Sequence, residues 1–189
     1  MSPDHAWNTR ARLTEDEDFR KPDQELIDKA LTGVAHDDAL RRLRERAGVA
    51  DVATADRIRG LGFTEETVVL IRLMPLLAVA WADGHVSDAE RAAVISEARS
   101  YGIASGSAAD VQLAAWLTHA PSETVRDAAV DILAGTLLGD VQRVIAACHT
   151  VAAASGGAFG LRKISARERD VLDRITYALE RKGIVSGRR

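Results

Sequence analysis

The stretch Val79–Arg91, VAWADGHVSDAER, decides how this chain is read. An apolar run stops at Asp83-Gly84 and the chain resumes at Ser87 with the features of a helix start. Gly84 is a natural stop for the preceding helix, because glycine accepts the left-handed backbone that commonly ends one. Ser87 is a good N-cap, and Glu90 stands three residues on, where its carboxylate can reach back to the cap amide. Such a capping box contributes on the order of 1 kcal/mol. Asp88 in the first turn suits the positive end of the helix dipole. A tight connection between two helices therefore accounts for Gly84, Ser87, Asp88 and Glu90 without any ligand. It leaves Asp83 unexplained.

Outward from this stretch, the pattern is helical almost throughout. Leu26, Ile27, Ala30, Leu31 and Val34 recur at helical spacing, followed by Ala39, Leu40 and Leu43 in DDALRRLRERAG. DVATADRIRGLG reads as a short helix ended by glycine. FTEETVVLIRLMPLLAVAWADG starts at a threonine cap, carries two glutamates in its first turn and is apolar around most of its circumference. It is expected to be the central buried helix, kinked at Pro75. Further helices are expected over Ser87 to about Tyr101, Ser107 to Thr118, Ser122 to Thr136, Asp140 to Ala154 and Ser165 to Lys182. Alternating β-branched runs and Asn-Gly turns are lacking, so the expected class is all-α: a single-domain bundle of about seven to nine helices.

The stretch has an echo. Val151–Leu172, VAAASGGAFGLRKISARERDVL, repeats an alanine-rich helix end, a small residue with glycine, and an aliphatic-Ser-x-x-Glu helix start. The capping box recurs as Ser165 and Glu168, and the copies end alike in YGI at Tyr101 and KGI at Lys182. Two helix-loop-helix units of one design point to a pseudo-repeat. Residues 1–22 are polar and of mixed charge, with a possible cap at Thr14, and read as a solvated arm. The helical domain is expected over 23–184, with a basic tail at 185–189.

Composition narrows the function. Hydrophobic residues make up 47% of the 189 residues and charged residues 28%, enough for a real core in a soluble protein. The net charge of -3 and an aromatic content of 4% argue against nucleic-acid binding, which needs basic surface and stacking platforms. The single cysteine, Cys148, excludes an internal disulfide and a cysteine zinc cluster, and reads as a buried thiol. It cannot form a dyad with His149, because helix neighbours point about 100° apart. The N-terminus has no apolar segment of the secretory type, and Val68–Ala82 is interrupted by Arg72 and Pro75 and too short to span a bilayer. A cytoplasmic protein without direct membrane insertion is expected. ASGGAFG at Ala154 follows a helix and lacks a lysine-serine continuation, so it is no phosphate loop. Ser-His-Asp and His-Glu-x-x-His arrangements are absent, and no catalytic residue is assigned.

Asp-Gly-x-aliphatic-Ser-x-x-Glu also matches the second half of an EF-hand loop, with Asp83, Gly84 and Glu90 in register. The first half fails, since Val79 and Trp81 offer no ligand oxygen. What survives is a shared divalent site, completed by water or by acids such as Asp88, Asp127, Asp131 or Asp140. His85 could add a nitrogen and favour zinc or manganese over calcium. His36 and His119 read as cap or surface positions.

The ADG helix end, VSDAE and the degenerate second copy resemble the tellurite-resistance TerB family. The same helical module is similar to the N-terminal region of DjlA-type co-chaperones. The similarity covers roughly Glu25 to Ile184. It implies about seven helices in two related halves, with divalent metal (calcium, magnesium, manganese or zinc) bound by acids of the two loops. Carried over by position, Asp83 and Glu90 match the first acidic pair and Glu168 the second glutamate, while Ser155 stands where the second aspartate would be. The resemblance implies a non-catalytic stress-response protein that works through protein partners. The alternative is a metal-free helical interaction domain.

Overall fold

The computed structural model describes residues 35–136, 141–154 and 164–186. Those residues are helix and turn, with no strand among them, as the apolar periodicity requires. The possible cap at Thr14, the helical pattern over Leu26–Val34, Asp140 and the second loop with Ser155 lie outside them. The chain divides into two compact units, Met1–Arg42 and Leu43–Arg189. Residues 35–47 are helical (α1), and the division falls inside that stretch. Within the first unit Arg41 pairs with Asp38 at 3.2 Å on an exposed face.

The second unit is built around α3, Met74–Ala80, whose Met74, Leu76, Leu77, Val79 and Ala80 have no measurable exposure. It packs against α4 (Asp88–Ser100), α6 (Glu123–Thr136), α7 (Val141–Ala154) and α8 (Ala166–Ser186). The apolar run is not the single kinked helix expected from its composition. Residues 65–67 are turn, Val68–Leu73 is a 3₁₀ helix, and the α-helix proper starts at Met74 with Pro75 in its first turn. The physical reason is Pro75. It has no amide to donate, and inside a longer α-helix its ring would strike the carbonyl four residues back. In the first turn neither matters. The Met74 amide then bonds to the Ile71 carbonyl in 3₁₀ spacing.

The remaining helices carry the caps their sequences announce. Asp51 caps α2 (Val52–Gly60), accepting from the Thr54 amide at 2.7 Å, and that hydrogen bond holds its carboxyl below the usual range. Ser107 caps α5 (Ala108–Trp116), and Arg99 of α4 reaches Asp110 of α5 at 2.7 Å. Cys148 is buried, as expected, and burial pushes its thiol up to about 12. The echo breaks at its end: α4 stops at Ser100 before Gly102, whose φ is +78°, whereas α8 runs on through Gly183 to Ser186.

Leu76 lies at the centre of this packing. Leu76→Ala should cost about 2–5 kcal/mol, the range for emptying a closed leucine site, with an unchanged denaturant slope in urea unfolding.

Candidate functional site

The turn between α3 and α4 is held from both sides. The amide of Gly84 bonds to the Trp81 carbonyl at 3.0 Å, and Gly84 takes a φ of +95°, which side-chain-bearing residues rarely adopt. Asp83 folds over the turn, accepting from the His85 amide at 3.2 Å, and the His85 ring nitrogen Nδ1 stands 3.0 Å from the same oxygen. The role the sequence left open for Asp83 is thus partly structural. Trp81 and Arg91 flank the turn and both donate to the end of α5, Trp81 Nε1 to the Trp116 carbonyl at 2.9 Å and Arg91 to the Leu117 carbonyl at 2.7 Å. These carbonyls belong to the unsatisfied end of a helix, where donors and positive charge are favourable. The sequence carried no signal for either bond beyond the residue types.

Ser87 and Glu90 form the complete capping box. The Glu90 amide donates to Ser87 Oγ at 3.3 Å; in return the Ser87 amide at 2.8 Å and its hydroxyl at 2.7 Å both donate to Glu90 Oε2. The second copy repeats it: the Glu168 amide donates to Ser165 Oγ at 3.1 Å, and the Ser165 amide to Glu168 Oε2 at 2.6 Å. What distinguishes both boxes from ordinary surface caps is burial. Glu90 and Glu168 are each 1% exposed, and they are the two buried charged residues among those described.

Burial pushes the Glu90 carboxyl above its ordinary value of 4.5; the Ser87 donors pull it back, and the charges of Glu168 and then Asp83 add to the rise. The negative charge of Glu168 thus adds, after burial, to the cost of ionising Glu90. Asp88 points elsewhere: two residues before Glu90, it lies about 200° round the helix and is exposed. Asp127 and Asp131 of α6 line a cavity of about 390 Å³ with Trp81 and Ala82 from the turn and Ile175 from α8. Of the acids the sequence singled out, Glu90, Glu168 and Asp83 thus interact, while Asp88, Asp127 and Asp131 do not enter the electrostatics of Glu90. Among the described residues, no three His, Cys, Asp or Glu side chains gather closely enough to hold a metal ion on their own. No family model matches the sequence, and neither a curated protein nor a solved structure matches it.

The raised Glu90 value fixes the sign of a pH effect. The folded chain holds this proton more tightly than the unfolded one, so the contribution is full below about 4.5 and fades as pH climbs through the native value. Ser87→Ala removes the hydroxyl that donates to the carboxylate and accepts from the Glu90 amide, while the bond from the Ser87 amide stays. It should cost about 1–3 kcal/mol, more at pH 7 than at pH 4, where the group is largely protonated in either protein. Chemical denaturation at the two pH values checks this.

Proposed function

We propose that this chain is a non-catalytic helical interaction module of the TerB type, in which Glu90 and Glu168 share a divalent cation that sets how a partner surface is presented. The supporting observation is the burial of two carboxylates at matching positions of a pseudo-repeat, with the charge of Glu168 adding to the cost of ionising Glu90. A cation between them removes that repulsion. The donors are oxygens, which suits calcium, magnesium or manganese. Zinc would draw on His85, whose ring is exposed and engaged with Asp83. Two carboxylates do not fill the shell of a hard cation, and waters would supply the rest, with Asp83, whose charge acts on Glu90, as a further ligand.

The ion would act on position rather than chemistry. Glu90 begins α4 and Glu168 begins α8, so a bridge between them fixes the start of both helices. The cavity lined by Trp81, Ala82, α6 and α8 shares α8 and the turn before α4 with this pair, and a protein partner seated there would read the change. The association with tellurite resistance and stress response comes from the resemblance, as does a cytoplasmic setting; no helix among the described residues is long and apolar enough to cross a membrane.

One observation favours the metal-free reading. Both glutamates already serve their capping serines, so each has a structural role without an ion. Glu90→Gln keeps an oxygen for Ser87 but removes the charge, and separates the two. After chelation, adding calcium, magnesium, manganese or zinc at one hundred times Kd should stabilise the native chain by about 2.7 kcal/mol. That corresponds to a rise in Tm of about 5–10 °C, absent in Glu90→Gln. No rise with any of the four ions, or an equal rise in the variant, would leave the helical interaction domain without a metal role.

A further inference from the structure

The cavity of about 390 Å³ is lined by the end of α3 with the turn after it, by α6 and by α8. Small side chains leave the space: Ala78 and Ala82 from the first element and Ala178 from α8 all line it and are partly exposed. Trp81 lies in the same lining, half-buried, with its indole nitrogen committed to the Trp116 carbonyl at 2.9 Å. The aliphatic residues Val130 and Ile175 are almost wholly covered, at 8% and 6% exposure, and offer little surface. A ligand here meets a modest apolar floor, and most of its recognition must be polar.

α6 supplies that polarity in two adjacent rows. Glu123, Asp127 and Asp131 follow one another at every fourth residue, and Arg126 stands next to Asp127, about 100° round the helix. Two of the charged lining residues are already engaged: Arg174 of α8 with Asp170 at 3.7 Å, and Asp131 with a contact of its own. The side chains of Glu123, Arg126 and Asp127 make no hydrogen bond or ion pair among the described residues. Glu123 and Arg126 have a spacing at which opposite charges can pair on a helix, yet no ion pair joins them. Glu123 and Asp127, like charges one turn apart, repel each other. One half-buried guanidinium and two carboxylates thus line the same cavity uncommitted.

We propose that this cavity binds a free α-amino acid with an aliphatic side chain, its ammonium between Glu123 and Asp127 and its carboxylate on Arg126. An α-amino acid carries both charges on one carbon, which suits two adjacent rows of a helix. A simple anion or cation would leave one sign unanswered. Guanidinium pairs with a carboxylate through two parallel hydrogen bonds, and an ammonium between the acids relieves their repulsion. The side chain then lies against Trp81 and the three alanines. The volume falls within the range of small-molecule sites, about 300–1,000 Å³. A fully buried methylene tightens binding about four-fold, so leucine, three carbons longer than alanine and only partly covered, should bind on the order of ten-fold more tightly. Neither Glu90 nor Glu168 lines the cavity, so the inference stands apart from the metal reading; a protein partner seated here would compete with the amino acid.

The test is calorimetric titration of the metal-free full chain with L-leucine, L-alanine, N-acetyl-L-leucine and L-leucinamide. The variants are Arg126→Gln, the double change Glu123→Gln with Asp127→Asn, and Ala178→Leu. Ala178 is a partly exposed lining residue, so a larger side chain there takes up cavity space without entering the closed core. Far-UV circular dichroism confirms that the variants fold. The result expected is saturable leucine binding, weakened about ten-fold or more in each variant and on loss of either charge from the ligand. Absence of saturable leucine binding overturns the proposal. So does N-acetyl-leucine, leucinamide or alanine binding as tightly as leucine, or leucine binding unchanged in any of the variants.

Discussion

Two carboxylates buried at the starts of two helices are the constraint around which this molecule is arranged. A glutamate at the third position of a helix ordinarily reaches back to its cap in the open, at little cost in solvation. Here Glu90 and Glu168 do so at 1% exposure, and Glu90 lies in the field of Glu168. Burying a charge is tolerable only with dense hydrogen bonding or an opposite charge. Ser87 supplies two donors to one oxygen of Glu90, and Ser165 supplies its amide to Glu168. The charge of Glu168 still raises the cost of ionising Glu90, and a proton or a metal ion on the pair would relieve it.

The surrounding packing holds these helix starts in place. α3 supplies a core with essentially no exposed side-chain surface, and its last residues lead into the turn at Asp83 and Gly84. Trp81 before the turn and Arg91 after it both donate to the carbonyl end of α5, so the turn is clamped from a third helix. α7 packs on α3, α4 and α8, joining the two halves that carry the glutamates.

Much of this was legible in the sequence, for reasons that can be named. Helical periodicity, the Ser-x-x-Glu boxes and the glycine at 84 are local signals, and local geometry honoured them at Ser87, Ser107 and Ser165. The boundary at Met74 was missed because composition registers apolar content, whereas Pro75 acts through one absent amide and one steric clash. Burial of Glu90 and Glu168 was out of reach for the same kind of reason. A capping glutamate reads alike whether water or a second carboxylate lies behind it, and only their matching places in the repeat hinted at the pairing. Arg72 and Arg143, the two arginines over the Tyr101 ring, are far apart in the chain, a separation at which spacing conveys nothing about proximity.

The most direct test of the buried pair is a double-mutant cycle on metal-free protein at pH 7, with Glu90→Gln, Glu168→Gln and the double variant compared by urea unfolding. Each single change removes the whole of the repulsion, and the second has none left to remove. The account predicts that the two single effects do not add, with a coupling of about 0.5–3 kcal/mol that shrinks at pH 4. Additive effects at pH 7 would mean that the two carboxylates do not sense each other, and would contradict the central claim.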